Sequence, residues 1–370
     1  MRSWAAAVAV VTVFAVAAAP AGALPSRFWG VVPQAVPGPE GLERLHRGGA
    51  RAIRVPVSWP AVAPWRHGGA DWAGVDALVE AAARAGLELL PTLHGAPRWA
   101  VREVAVPGTA GAARAPAHLP AGGRAAAGWK RFVREAVARY GFGGSFWSEH
   151  PDVPRRPIRY WQIWNEPNFK YFVARPDPVE YGRLVNLSRR AMRAADPRSQ
   201  LVLAGLFARP AEALRGYRPP RAYTAAEFLR RMYRGTPGVR HRFDAVALHP
   251  YSGRFQDLGP QLRELRRVLR QAGDRRKPVW ITELGWSSRP PTRGNSFAKG
   301  WRGQARQLAG AFSLLRRNQR EWNLRRVYWF SVDDQRGTCN FCDGSGLFAA
   351  GFRPKPSWHA FVRFAGGTVR

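Results

Sequence analysis

The sequence predicts an α/β protein of 370 residues folded as a single (β/α)8 (TIM) barrel, and three observations predict it. Eight short runs rich in β-branched and aromatic residues recur along the chain, with amphipathic, Arg/Ala-rich stretches between them. Several of the runs, such as Leu201-Val202-Leu203-Ala204, are apolar at every position, which suits parallel strands covered on both faces. No glycine-rich phosphate loop follows the first run, which argues against an open nucleotide-binding sheet. Barrels of this kind need about 250 residues and tolerate long insertions, so one domain over 24–370 accounts for the length.

The expected strands are Phe28–Pro33, Ala52–Ser58, Glu88–His94, Ile158–Trp164, Gln200–Leu206, Phe243–His249, Pro278–Thr282 and Val327–Ser331. The helices between them have legible stops. Trp72 to Ala85 sets Val75, Leu78, Val79 and Ala82 on one stripe and ends at Gly86, a residue suited to the left-handed turn after a helix. Gly128 to Tyr140 aligns Trp129, Phe132, Val133 and Val137 and stops at Gly141. Further helices are expected at Pro39–Arg47, Pro178–Ala195, Thr224–Tyr233, Leu258–Ala272, Phe297–Arg317 and Pro356–Phe364. The Ala/Gly/Pro stretch from Pro107 to Gly128 reads as a long surface loop after the third strand.

Residues 1–23 read as a signal peptide: a basic start at Met1-Arg2-Ser3-Trp4, an apolar run from Ala5 to Ala19, and the small-x-small pattern Ala21-Gly22-Ala23. That run is shorter than the roughly 20 residues of a membrane span, and no other segment reads as transmembrane. The mature chain is therefore expected to be secreted, extracellular or periplasmic, with a retained N-terminal anchor as the other reading. In that setting Cys339 and Cys342 suit a local disulfide, since a lone Cys-x-x-Cys lacks the four ligands of a structural zinc.

The net charge is +33, yet five of the 58 basic residues are lysine and the rest are arginine, scattered over many helices. That spread argues against a nucleic-acid partner, while an acidic polysaccharide or an anionic cell surface stays open. Sixteen Trp residues provide material both for the core and for sugar-stacking platforms.

In a barrel the chemistry sits at the C-terminal ends of the strands. The fourth run ends in Asn165-Glu166-Pro167-Asn168 and the seventh in Glu283-Leu284-Gly285-Trp286, so each delivers a carboxylate to the mouth. Two facing carboxylates suit glycosidic bond cleavage, in which one protonates the departing oxygen and the other attacks or activates water. His94 ends the third run as a sugar-binding candidate, and Trp59, Trp99, Phe169, Tyr171 and Trp286 are candidates for lining outer subsites. No cluster of His and carboxylates has metal spacing, so no metal or cofactor is expected.

Trp164-Asn165-Glu166-Pro167 followed by Ile281-Thr282-Glu283-Leu284-Gly285 resembles clan A of the glycoside hydrolases. Within it, Tyr160 to Phe169 and the preceding Phe146-Trp147 resemble family-39-type enzymes, β-xylosidases and exopolysaccharide endoglycosidases among them. The similarity runs from Phe28 to about Phe364. It implies Glu166 as acid/base, Glu283 as nucleophile, and retention of configuration on a poly- or oligosaccharide. It also implies that Arg54 supports Glu283, that Asn165 bonds the sugar 2-hydroxyl, that His249 and Tyr251 sit near the nucleophile, and that Trp329 floors the cleavage subsite. A non-catalytic sugar-binding barrel would lack one carboxylate, whereas a transglycosylase would use the same residues.

Overall fold

A computed structural model describes residues 24–106, 114–209, 219–335 and 342–369. Residues 1–23 lie outside it, as does Cys339; Cys342 is disulfide-bonded. Eight strands close a parallel barrel: β1 (Trp29–Val32), β2 (Ala52–Ser58), β3 (Glu88–His94), β4 (Tyr160–Ile163), β5 (Gln200–Phe207), β6 (Ala245–His249), β7 (Val279–Ile281) and β8 (Leu324–Phe330). Each strand pairs with its sequence neighbours and β1 closes on β8, with Trp29 opposite Val327 and Val32 opposite Phe330.

The outer ring is formed by α1 (Pro39–Arg47), α2 (Ala73–Arg84), α3 (Gly123–Tyr140), α4 (Pro178–Ala195), α5 (Ala225–Gly235), α6 (Leu258–Gln271), α7 (Gly300–Arg317) and α8 (Pro356–Ala365). Local chemistry sets several starts. Asp177 caps α4 by accepting from the amides of Val179 and Glu180, with Pro178 at the first position. Thr224 caps α5 through the amide of Glu227, the Ser/Thr half of a capping box. The expected loop from Pro107 to Gly128 is shorter than predicted. Its end belongs to α3, because Ala125 and Ala126 are helix formers that bury against the barrel. Part of it, Arg114–Pro116, pairs antiparallel with Glu103–Ala105, which precedes the loop.

The main core lies between strands and helices, and a second cluster fills the barrel interior with Val32, Leu90, Val202, Trp280 and Tyr328. Above this plug the inward positions turn polar: Arg54, Thr92, Gln162, His249 and Thr282 are all buried. An apolar floor under a polar upper layer directs the chemistry to the C-terminal mouth. Among the described residues no helix is long and apolar enough to cross a membrane.

Candidate active site

Glu166 and Glu283 both stand at that mouth. Beyond β4 the chain turns sharply, with left-handed backbone at Trp164 (φ 70°) and Glu166 (φ 40°). Such conformations cost about 1–3 kcal/mol each and persist only where the surroundings enforce them. Here the Trp164 amide bonds Leu93 O at 2.8 Å, its indole bonds Phe172 O at 3.1 Å, and the Glu166 amide reaches Gly205 O at 3.3 Å. Buried Asn168 locks the turn, donating to Phe207 O and Tyr223 O at 2.8 Å each and accepting from the Phe207 amide at 3.1 Å. On the other side, β7 delivers Glu283 one residue beyond Thr282, whose amide bonds Leu248 O at 3.3 Å.

The turn and the strand bring the two carboxylates together. One oxygen of each, with a ring nitrogen of His249, lie within 4.8 Å of one another. Arg54 donates through Nη1 to Glu283 Oε1 at 2.6 Å, through Nη2 to Asn165 Oδ1 at 2.7 Å and through Nε to Gln162 Oε1 at 2.6 Å. Tyr251 donates its hydroxyl to Glu283 Oε2 at 2.9 Å. His249 Nδ1 lies 2.6 Å from Glu166 Oε1 and 3.5 Å from Glu283 Oε2. Glu166, His249 and Glu283 could in principle hold a cation, but the guanidinium fixed on Glu283 opposes a second positive charge there.

A hydrogen-bond chain fixes the polarity of His249. The Gln162 carbonyl accepts from Arg54 and from Thr92 Oγ1 (3.0 Å), so its amide faces Leu203 O at 2.9 Å and Thr282 Oγ1 at 3.3 Å. Arg54 can only donate and a carbonyl only accept, so the Gln162 amide cannot be reversed. Thr282 Oγ1 accepts from Gln162, which frees its proton for His249 Nε2, 3.0 Å away. Neutral His249 then carries its proton on Nδ1 and donates to Glu166 Oε1. Glu166 Oε2 has no partner among the described residues and is the oxygen left to carry an acidic proton. The same crowding explains Gly205: a Cβ there would lie 1.9 Å from the His249 ring.

Burial and neighbouring charge shift all three groups. Burial, then the charge of Glu283, raises the Glu166 pKa well above the ordinary carboxylate value, with Arg54 opposing. Burial, with Arg54 adding, holds His249 well below the usual histidine range, so it is neutral. Burial and the two carboxylates push the Tyr251 phenol well up, so it keeps its proton and remains a donor.

The structure gathers Arg54, Asn165, Glu166, His249, Tyr251 and Glu283 into one constellation. Asn165 gives its oxygen to Arg54, and its amide nitrogen has no partner among the described residues, so it is free to donate to a ligand. His94 ends β3 partly exposed, without a hydrogen bond among the described residues; burial of its ring and the Arg54 charge push its pKa down to about 4. Two expectations need correction. Trp329 is not a floor residue: it is fully buried between barrel and helices, its indole bonding Ser345 O at 3.1 Å and its ring 6.1 Å from that of Trp286. Trp286 is equally buried, its indole bonding Ser252 O at 2.8 Å. Because Arg326 and Tyr328 point inward, residue 330 shares their face, and partly exposed Phe330 lies 6.5 Å from the Tyr251 ring. Trp59 is also buried, stacked on Phe132, and Phe169 is 4% exposed. Tyr171 is 36% exposed in the loop after β4, and Trp65, which the motifs did not flag, is 73% exposed in the loop after β2.

Residues 211–354, which include His249, Tyr251 and Glu283, match the family model described as the glycosyl hydrolase catalytic core. The (β/α)8 fold is shared with the solved glycoside hydrolases described next, and the matched stretch carries Glu283. The chain is similar to a family 39 glycoside hydrolase from Bacteroides cellulosilyticus (18% identity, TM-score 0.60), covering 92% of this chain and 64% of that one. A monomeric β-xylosidase from Caulobacter crescentus gives 20% identity and a TM-score of 0.62, covering 92% of this chain and 68% of that one. An α-L-arabinofuranosidase from Thermotoga maritima gives 11% and 0.60, covering 93% and 70%. The chain thus spans about two thirds of the length of the structures it resembles. No curated protein matches this sequence.

Proposed function

We propose that the chain is a retaining glycoside hydrolase that cleaves O-glycosidic bonds of a β-linked oligo- or polysaccharide by double displacement. The observation that carries this is the approach of the two carboxylates, with oxygens within 4.8 Å. Retaining pairs stand about 5–5.5 Å apart, while inverting pairs stand roughly 6.5–9.5 Å apart to admit a water.

In the first step Glu283 attacks the anomeric carbon. The bond to the glycosidic oxygen breaks, and that oxygen leaves as an alcohol with the proton from Glu166 Oε2. Bonding to the sugar removes the negative charge of Glu283, which had helped hold that proton on Glu166. In the second step the Glu166 carboxylate takes a proton from water, the water oxygen bonds the anomeric carbon, and Glu283 is released. The free amide of Asn165 suits a sugar hydroxyl, and exposed Trp65 and Tyr171 suit stacking on outer sugar rings. The β-linkage follows the name of the xylosidase neighbour and is part of this proposal.

Glu283→Ala tests the mechanism. Turnover should vanish, and azide should restore cleavage of an activated aryl glycoside to give a glycosyl azide of inverted configuration. Near-normal turnover by this variant, or NMR detection of an inverted first product from the unmodified enzyme, overturns the proposal.

A further inference from the structure

At the opposite, N-terminal end of the barrel lies a cavity of about 800 Å³ lined by six arginines and two carboxylates. The carboxylates are already engaged. Glu88 pairs with Arg27 and with Arg326 (2.6 Å), and Asp244 pairs with Arg189 at 2.7 Å. Arg155 bonds the carbonyl of Phe142. That leaves exposed Arg156, Arg159 and Arg325 with neither an ion pair nor a hydrogen bond among the described residues.

Two further hollows extend the basin. One of about 500 Å³ shares Asp244 and Pro278 and adds Arg275 and Arg276; another of about 320 Å³ shares Pro25 and Arg325 and adds Arg320. Together they form a cationic trough across the mouth of the barrel remote from Glu166 and Glu283. Arg134, Arg183 and Arg306, by contrast, stand exposed on separate outer helices, where water screens them. In a concave trough the guanidinium groups converge on one ligand and bind carboxylate or sulfate through paired N–H groups.

We infer that this trough binds a strand of acidic polysaccharide, holding the polymer on the back of the barrel while the other mouth cleaves. A membrane plane does not fit a concavity. The aromatic side chains of the floor do not suit nucleic-acid stacking, because Trp280 is buried and Arg326 covers both it and Tyr160, at 5.1 and 5.6 Å. The polymer class rests on the glycosidase proposal; the binding does not require turnover.

The test therefore uses the full chain carrying Glu283→Gln, with fluorescently labelled oligogalacturonate as probe, and with a neutral oligoglucan and single-stranded DNA of matched length as comparisons. Binding to oligogalacturonate should be salt-sensitive. It should weaken at least tenfold on Arg156→Ser/Arg159→Ser/Arg325→Ser. A control of equal charge change, Arg134→Ser/Arg183→Ser/Arg306→Ser on outer helices, should weaken it less than twofold. Equal weakening by both triples, or none by the first, overturns the inference. So does tighter, trough-dependent binding of DNA. Normal binding alongside failure of the azide rescue would leave the trough standing and remove the mechanism.

Discussion

Arg54 and Tyr251 grip opposite oxygens of Glu283, the guanidinium at 2.6 Å from Oε1 and the phenol at 2.9 Å from Oε2. The carboxylate is thereby held in one orientation facing the space beside Glu166. Losing a single donor to a buried charged group costs about 1–3 kcal/mol. Tyr251→Phe should therefore lower kcat by roughly 5- to 150-fold by that arithmetic. Arg54→Met should cost more, since it also frees Asn165 and Gln162. Steady-state kinetics on an aryl glycoside decide; an unchanged kcat in Tyr251→Phe contradicts the grip.

The raised pKa of Glu166 makes a stability prediction with a definite sign. Its ordinary value is 4.5 and its folded value lies well above that. The folded state therefore binds the proton more tightly than the unfolded chain. The stabilisation is fully present below about pH 4.5 and is lost as pH rises through the folded pKa. Glu166→Gln cannot ionise, so its melting temperature should gain on the unmodified enzyme across that window. Parallel curves of Tm against pH for the two proteins would refute the assignment.

In the proposed mechanism the same raised pKa sets the alkaline limb of kcat/KM, because the first step there needs protonated Glu166. Glu166→Ala should depress hydrolysis of substrates with poor leaving groups far more than that of activated aryl glycosides, whose departure needs no proton. Its alkaline limb should disappear as well. Equal losses on both substrate classes would falsify the acid role.

Gln162 and His249 do not touch, yet Thr282 joins them into one oriented chain. Thr282→Val removes the donor to His249 Nε2 while nearly conserving volume. The imidazole then loses its reason to keep its proton on Nδ1. We expect kcat to fall about tenfold, with KM little changed, matching one hydrogen bond of about 1.4 kcal/mol. Nitrogen-15 NMR should show the tautomer of His249 shifting. A normal tautomer with normal kcat removes the chain from the mechanism.

The sequence showed the carboxylate pair clearly because each motif is local: a strand run ends and a glutamate follows. Arg54, His249 and Tyr251 were legible through the resemblance to clan A, which implies their places beside Glu283. Gln162 and Thr282 stood out only as polar residues in apolar strands, and their meaning lies in partners on other strands. Asn168 was visible within its motif, but its clamp on Phe207 and Tyr223 depends on β5 and the loop beyond it. The resemblance put Trp329 on the inner face of the eighth strand, and Val327-Tyr328-Trp329-Phe330 is apolar throughout, so no polar alternation in the sequence marks which face is inner. A one-residue error in parity exchanges core for cleft, and here the β7–β8 pairing also shifts register between Leu324 and Arg326.

That parity is itself testable with two truncations side by side. Trp329 is fully buried in the apolar layer, packed against Trp286 and Phe312, with an indole bond to Ser345 O. Removing so large a buried ring costs about 3–5 kcal/mol, so Trp329→Ala should lower the denaturation midpoint sharply. Whatever enzyme remains folded should show nearly unchanged KM, since no part of the ring reaches the cleft. Phe330 is partly exposed beside Tyr251, so Phe330→Ala should cost less stability and instead raise KM or lower kcat. Denaturant titration and kinetics on both variants separate the two faces. If Trp329→Ala were the variant that kept its stability and lost substrate, the strand would present the opposite face to the cleft, and the original reading of Trp329 as the floor would stand.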